Sequence, residues 1–277
     1  MFSITGSTKV WLFILLTSLS ILIMGYHFAE RLGLIFGFLI SIAVNLLIFI
    51  YGDYKLQNNF ISKELEGQDP YGANKILTSY VKQLHFPLPK LRIYDSESAN
   101  AFTLGLFWNQ PSIFLSKKLL NLLTQDELRC VILLSLNQIK RMDTFSFGVV
   151  SLLANTLIGF GHFLDHIFLF HLYFKKTHGP FTYFFNSLCW FLLKSIANPD
   201  TYFRTDKSSC ETLGDKRKYC ELLWKLNGYS QTIPQSIPHG TTHLFIIPPS
   251  QSNLLWFDKI QPSIPKRIIK LIGHSPL

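Results

Sequence analysis

The 277-residue sequence contains little charge and little cysteine, and several catalytic signatures are missing from it. Only 16% of its residues are charged, and its four cysteines form no C-x-x-C pair. These features argue against a zinc knuckle or a dithiol redox motif, and they predict reduced, mostly buried thiols. The sequence also lacks a G-x-S-x-G elbow and a G-x-x-x-x-G-K-[ST] loop, so nothing points to a serine hydrolase or a P-loop nucleotide site.

The formal net charge of +9 does not indicate a nucleic-acid partner. The basic residues are dispersed among acidic ones, with no arginine-rich run and no RNA-binding aromatic motif. We therefore predict no nucleic-acid binding.

Long apolar runs are what the sequence has in quantity. Val10–Ala29 is long enough to span a bilayer as a helix, and Leu32–Tyr51 follows after only Glu30 and Arg31. The two runs predict a tight helical hairpin. The alternative, a cleaved signal peptide, is disfavoured because no A-x-A-like site follows the first run and a second span comes at once.

Two further apolar stretches predict a second hairpin. They extend over residues 145–174 and 180–197 and are rich in phenylalanine and leucine. Their apolar character is interrupted by histidines at 162, 166 and 171 and by Asp165 and Lys194. Partial insertion or burial within the protein is therefore the alternative to full spanning.

The distribution of lysine and arginine predicts the orientation. Residues 52–144 carry eleven and the tail after residue 198 carries ten, whereas the two short turns carry one and two. By the positive-inside rule both polar segments are cytoplasmic. The predicted organisation is a hairpin over 1–51, a cytoplasmic domain in two parts over 52–144 and 198–277, and the second hairpin over 145–197.

Local patterns predict the elements of this cytoplasmic domain. A helix opens at Asp69-Pro70, and three short strands follow as a small antiparallel sheet. Thr124 to Glu127 forms a capping box that opens a helix ending near Met142. One helix runs from Asn198 to about Gly228, residues 229–263 form a long surface loop, and 265–272 form a short helix. The predicted fold class is α+β, with helical membrane hairpins and a mostly helical cytoplasmic domain.

This layout resembles the HtpX family of membrane zinc endopeptidases. The resemblance covers nearly the whole chain, and its motifs are Tyr51-Gly52-Asp53, Leu88-Pro89-Lys90, Tyr94-Asp95-Ser96 and Asn100-Ala101-Phe102-Thr103-Leu104-Gly105. It implies a zincin-like cytoplasmic domain. It also implies that Asn100, Ala101 and Phe102 line a cleft where an extended substrate can add as a further strand.

The zinc-binding motif of that family is absent here. Its H-E-x-x-H motif corresponds to residues 134–138, which in this sequence include Leu134, Ser135 and Gln138. Leucine donates nothing to a metal, serine cannot act as a base near neutral pH, and an amide is a poor zinc ligand. Two ligands and the general base are therefore missing together.

The remaining zinc positions of the family are changed as well. The third ligand, a glutamate, corresponds to Tyr202, while Arg204 and Asp206 of the same stretch are kept. The histidine of a histidine-proline motif that this family has near its C-terminus corresponds to Gln261. The resemblance thus implies a family zinc site without its ligands, and we expect no cofactor.

The resulting hypothesis is a proteolytically inactive membrane scaffold or regulator in membrane-protein quality control. Its expected partners are the lipid bilayer and either unfolded membrane proteins or an active partner protease, and the resemblance implies a bacterial inner membrane. One alternative is an active metallopeptidase that uses His239 and His243 as substitute ligands, although both are predicted to be solvated. Another is a transport or structural protein centred on the histidines of 162–178. Separately, His162-Phe163-Leu164-Asp165-His166 resembles an inverted zincin motif, but its acid is aspartate, and we interpret these histidines as interfacial ones that face water or neighbouring helices.

Overall fold

A computed structural model describes residues 5–65, 67, 69–106, 111–168, 179–235, 237, 240–250 and 260–273. This part of the chain is mostly helical and contains one sheet of four strands. The helices are α1 (Gly6–Leu46), α2 (Gly52–Asn58), α3 (Ala73–Leu84), α4 (Lys117–Leu122), α5 (Gln125–Lys140), α6 (Asp143–Ile167), α7 (Pro180–Ile196), α8 (Pro199–Leu213), α9 (Lys216–Thr232) and α10 (Ile264–Ile272). The strands are β1 (Ser62–Glu64), β2 (Lys90–Tyr94), β3 (Ala101–Leu104) and β4 (Ser112–Ser116).

Helix α1 forms the predicted N-terminal hairpin. It is broken at Ala29 and Glu30, and Glu30 has a φ of 46°. Gly25 and Gly33 meet across this turn so closely that a Cβ atom on either would overlap the carbonyl of the other. The large apolar side chains of both arms are mostly exposed, and α1 is long and apolar enough to cross a membrane. A five-residue π-helical turn, Leu47–Tyr51, leads from it into α2.

The sheet has the strand order β1-β2-β4-β3. Strands β2 and β4 are parallel, whereas the other two pairs are antiparallel. The prediction of an antiparallel sheet was therefore wrong for one pair. The physical reason is that β4 turns back along β3 and inserts between it and β2, so that β3 supplies the crossover that a parallel pair requires. As a result β3, which carries the N-A-F motif, lies at an edge of the sheet.

Helix α5 runs through the middle of the soluble part. Its predicted capping box is present, because the Thr124 hydroxyl accepts from the Glu127 N–H (3.3 Å) and the Glu127 carboxylate accepts from the Thr124 N–H (2.8 Å). The helix packs against α3, α8 and β3, and its residues from Cys130 to Ile139 are all buried. Such burial on all sides makes α5 the core element on which the site is built.

Two helix boundaries differ from the prediction. Helix α3 begins at Ala73 rather than at Asp69, because the Asp69 carboxylate accepts from the N–H groups of Ala73 and Asn74 and caps the helix from outside. The single helix predicted after residue 198 is two helices. Gly214, with φ 77°, ends α8, and the Asp215 side chain caps the start of α9.

Helices α6 and α7 form the second predicted hairpin and pack closely against each other. Helix α6 is the other described helix that is long and apolar enough to cross a membrane, and half of its most apolar stretch is buried inside the protein. The residues 169–178 that connect the two helices lie outside the described part of the chain.

The prediction of a surface loop over 229–263 was wrong for most of the described residues in it. Helix α9 continues to Thr232, and residues 241–247 are buried around a short 3₁₀ turn, Thr242–Leu244. The apolar residues Leu244 to Ile247 pack against β3 and the core, which outweighs the polar composition of the flanking chain. We call residues 241–248 the inserted segment. The predicted short C-terminal helix is present as α10.

Candidate functional site

The three degenerate positions on α5 are buried and already engaged. Leu134 is part of the hydrophobic core, and the Ser135 hydroxyl donates to the carbonyl of Val131 one turn earlier (2.9 Å). The Gln138 Oε1 atom accepts from the hydroxyl of Thr103 on β3 (3.2 Å). Helix α5 and strand β3 are therefore joined at the place where the sequence predicts the remnant of a metal site.

Tyr202 on α8 occupies the position that the resemblance assigns to the third metal ligand. Its ring stacks on Phe147, with the ring centroids 5.4 Å apart, and its hydroxyl donates to the carbonyl of His243 (2.8 Å). Burial raises the pKa of Tyr202 far above its usual range, so the phenol stays neutral at any physiological pH. A neutral phenol that already donates its hydrogen is a poor metal ligand.

Asp206, one turn further along α8, has an arginine where the resemblance expects a histidine. The Arg267 guanidinium donates to both carboxylate oxygens of Asp206, through Nε (2.7 Å) and Nη2 (2.6 Å). The Tyr219 hydroxyl donates to the same carboxylate (2.8 Å). Burial alone would lower the pKa of Arg267, but the adjacent carboxylate raises it above the usual range, so the guanidinium stays charged.

His243 is fully buried beside Tyr202, so the prediction that it is solvated was wrong. Its Nε2 atom lies 3.1 Å from the Phe147 carbonyl and 3.1 Å from the Ser151 hydroxyl. Because a carbonyl can only accept, Nε2 carries the hydrogen, and the buried Nδ1 has no partner among the described residues. Burial lowers the pKa of His243 to about 4. His239 lies outside the described residues.

The predicted peptide-binding strand is covered by the inserted segment. Asn100, Ala101 and Phe102 are almost completely buried. Phe102 forms an antiparallel bridge with Phe245, and the Ala101 carbonyl accepts from the Ile246 N–H (2.9 Å). The edge of β3 that the resemblance assigns to a substrate is thus paired with residues of the same chain.

Gln261 and Arg204, the other predicted positions, have different surroundings. The Gln261 side-chain amide donates to the carbonyls of Phe245 and Ile246 (2.8 and 3.0 Å). Arg204 is half-buried and lines a cavity of about 260 Å³ with Lys9 and other residues at the base of the helical hairpins. Gln261 therefore contacts the inserted segment, whereas Arg204 lines a cavity that this segment does not line.

The residues at this site do not fit a zinc ion. The donors are a neutral phenol, two amides and a serine that each make hydrogen bonds within the protein, together with one imidazole. Within the described residues no group of three or more histidine, cysteine, aspartate or glutamate side chains could hold a metal. One unpaired imidazole nitrogen does not make a ligand set.

The acidic residue in the histidine-rich stretch of α6, Asp165, has a structural role. The Asp165 carboxylate accepts from the N–H groups of Phe181 and Thr182 and from the Thr182 hydroxyl, and so caps the start of α7. His162 contacts the same hydroxyl (3.3 Å), and His166 is exposed. His171 and His178 lie outside the described residues. The arrangement is that of a helix cap.

Sequence reasoning missed the inserted segment, Arg267 and Tyr219. An apolar island of four residues, Leu244 to Ile247, inside a polar stretch was the one signal for the first of these. Arg267 lies in an amphipathic helix with three other basic residues nearby, and nothing in that pattern singles it out.

Sequence comparisons identify known proteins that are similar to this chain. The model of peptidase family M48 matches residues 73–133, which ends just before Leu134. The chain is 24% identical over 275 residues to a protease HtpX homolog of Pelotomaculum thermopropionicum, covering 96% of this chain and 98% of that protein. It is 25% identical to one of Desulfatibacillum aliphaticivorans, covering 95% and 88%.

A third relative and one solved structure complete the comparison. A protease HtpX homolog of a Sulfurovum species is 24% identical, with 85% of this chain and 87% of that protein covered. The crystal structure of S. mikatae Ste24p aligns with a TM-score of 0.49 and 16% identity, and it covers 96% of this chain but only 64% of that one. By sequence, the chain is similar over nearly its whole length to protease HtpX homologs, and over residues 73–133 to peptidase family M48.

Proposed function

We propose that this protein is a membrane-anchored HtpX-type homologue without peptidase activity, which acts as a binding scaffold or regulator in membrane-protein quality control. One observation carries the proposal. Tyr202, at the position of the family's third ligand, and Gln261, at the position of a histidine in its C-terminal motif, donate hydrogen bonds to backbone carbonyls of the inserted segment. These side chains bind peptide backbone instead of metal.

The chemistry of the site supports the loss of hydrolysis. A zinc peptidase needs a metal-bound water and a general base within reach of it. Ser135 stands where the resemblance places the base, and its hydroxyl is committed to the Val131 carbonyl. Because two ligands, the base and the third ligand are replaced together, a single substitution would not restore the enzyme.

The exposed apolar surface of α1 supports the proposal of a membrane anchor. Side chains such as Leu15, Ile23 and Phe36 are more than half exposed on both arms of the hairpin. An apolar surface of this size is unfavourable in water and favourable in hydrocarbon. The lysine and arginine distribution predicts that the soluble domain lies in the cytoplasm, and the resemblance implies a bacterial inner membrane.

Metal content of the detergent-solubilised protein tests the proposal. We expect no zinc above that of the buffer and no cleavage of an unfolded membrane substrate. The variant Leu134→His/Ser135→Glu/Gln138→His/Tyr202→Glu, which rebuilds the family ligand set, is the positive control and should retain zinc through purification. Stoichiometric zinc in the wild type that is lost in Tyr202→Phe or Gln138→Ala would contradict the proposal.

The burial of His243 beside Tyr202 favours a second candidate, an active enzyme with substitute histidine ligands. That candidate predicts chelator-sensitive cleavage by the wild type that disappears in His239→Ala/His243→Ala. Cleavage that survives the double substitution would exclude this ligand set, and no cleavage at all would exclude the candidate.

A further inference from the structure

The inserted segment is held in the cleft in the way that a protein holds a separate extended peptide. On one side Ile246 donates its N–H to the Ala101 carbonyl (2.9 Å). The Asn100 side chain brackets Ile247, donating to its carbonyl (2.8 Å) and accepting from its N–H (3.3 Å). Together with the Phe102–Phe245 bridge, these bonds add the segment to the edge of β3 as a short further strand.

The opposite side of the segment is held by side chains alone. Tyr202 donates to the carbonyl of residue 243 (2.8 Å), Gln261 to those of residues 245 and 246, and Arg267 Nη1 to that of residue 246 (2.6 Å). Main-chain groups of the segment are therefore recognised from both sides. Recognition of this kind depends little on which side chains the bound peptide carries.

The side chains of the segment show what kind of peptide fits. Leu244, Phe245, Ile246 and Ile247 are each at most 2% exposed, and the Phe245 ring lies 4.8 Å from that of Phe102. The segment from Thr241 to Pro248 contains no charged residue apart from the neutral, buried His243. The cleft thus accepts an extended, uncharged, apolar peptide with an aromatic residue opposite Phe102.

We propose that the inserted segment is a resident ligand of this cleft, and that the protein binds an extended apolar peptide of another chain only by exchanging it for this segment. The inference rests on the proposed function as a binding scaffold and specifies how its site is regulated. An unfolded membrane segment has the required composition. Amide donors at the positions of Ile246 and Ile247 are also required, which excludes proline there.

Covalent connection makes the resident segment a strong competitor. A tethered ligand acts at an effective concentration on the order of millimolar, so a free peptide at micromolar concentration is largely excluded from the wild-type cleft. Weakening the segment should therefore raise the apparent affinity for free peptide by tenfold or more.

Binding of a fluorescein-labelled peptide of residues 241–248 to the full-length protein in detergent tests the exchange. We expect Phe245→Ala and Ile246→Pro to bind this peptide at least tenfold more tightly than the wild type. Leu77→Ala is the matched control, because it truncates the core on α3, which donates no bond to the segment, and it should bind like the wild type. A peptide N-methylated at the Ile246 amide should not bind to any variant.

Hydrogen exchange and mass spectrometry separate the possible results. Faster exchange at Leu244 to Ile247 with protected amides in α5 marks a variant that is folded and has released its segment. Such a variant that binds no peptide would overturn the exchange, as would equal binding by wild type and variants. A bound peptide that is recovered cleaved would instead contradict the proposed loss of peptidase activity while leaving the exchange in place.

Discussion

The pair formed by Asp206 and Arg267 concentrates two charges inside the protein, where both side chains are at most 2% exposed. Removing one partner leaves the other charge buried without compensation, which costs about 3–5 kcal/mol in comparable cases. We expect Arg267→Met to lower the free energy of unfolding by that amount. Chemical denaturation of the detergent-solubilised protein, followed by tryptophan fluorescence, measures it.

Two further variants show whether the loss comes from the unpaired charge. Asp206→Leu/Arg267→Met removes both charges and should recover much of the loss. Arg217→Ala breaks an exposed pair with Glu221 and should leave the free energy of unfolding almost unchanged, because solvent screens such pairs. A double variant as unstable as the single one would show that lost packing, not the stranded carboxylate, is responsible.

His243 should make stability depend on pH in a predictable direction. Its pKa is lowered to about 4 by burial, against about 6.5 in an unfolded chain, so the unfolded state binds more protons between these values. The free energy of unfolding therefore has its full value above pH 6.5. It decreases as the pH falls towards 4, by about 3 kcal/mol in total. The difference between the pH profiles of wild type and His243→Asn isolates this contribution, and parallel profiles would contradict it.

At the scale of single residues, the sequence predicted positions better than partners. It placed Tyr202 and Gln261 at a common site, and in the structure both bind the inserted segment. It did not supply Arg267 as the partner of Asp206, because the two lie 61 residues apart and only tertiary packing brings them together. His243 was misjudged for the same reason.

Two glycines in neighbouring helices offer a matched test at the scale of elements. In neither case would an added Cβ atom meet another atom, so backbone conformation alone decides the effect. Gly214 has φ 77° at the end of α8, and alanine there should lower the free energy of unfolding by about 1–2 kcal/mol. Gly228 lies within α9, and alanine there should raise it by about 0.5–1 kcal/mol.

Denaturant midpoints of Gly214→Ala and Gly228→Ala provide the measurement. Shifts of opposite sign are expected from the same substitution. A destabilised Gly228→Ala would mean that the end of α9 needs the flexibility of glycine, and an unchanged Gly214→Ala would mean that α8 and α9 can join without the left-handed residue.

Elements with strong local signals were predicted well, and those set by long-range pairing were not. The capping box located the start of α5 because its hydrogen bonds join residues three apart. The parallel pairing of β2 with β4 depends on how the hairpin of β3 and β4 docks, which no local pattern encodes. The inserted segment has no local signal for pairing with β3, since its strand partner is more than a hundred residues away.

At the scale of the whole molecule, the site joins two parts of the chain that the second hairpin separates. Strand β3 and helix α5 come from residues before that hairpin, whereas α8, the inserted segment and α10 come after it. The bonds from Asn100 to Ile247 and from Asn137 to Ser209 connect the two parts. Both parts must therefore lie on the same side of a membrane, in agreement with the orientation that lysine and arginine predict.

Cysteine labelling can test this topology, because the native cysteines should not react with the label. All four are buried, and burial raises the pKa of Cys130 to about 11 and that of Cys210 to about 12, so little thiolate exists near neutral pH. Lys207 lies on α8 with 75% of its side chain exposed, and Glu30 lies exposed at the tip of the first hairpin.

A membrane-impermeant maleimide should therefore label Lys207→Cys only in inside-out vesicles, which expose the cytoplasmic face. It should label Glu30→Cys only in right-side-out vesicles, which expose the opposite face. The wild type should remain unlabelled in both. Labelling of both variants from one face would mean that the arms of α1 do not cross the bilayer, and the hairpin would then have to lie along its surface. Labelling of Lys207→Cys from the cytoplasmic face and of Glu30→Cys from the other face would place the cleft on the cytoplasmic side. An apolar segment that fails to insert into the membrane from that side could then reach the cleft.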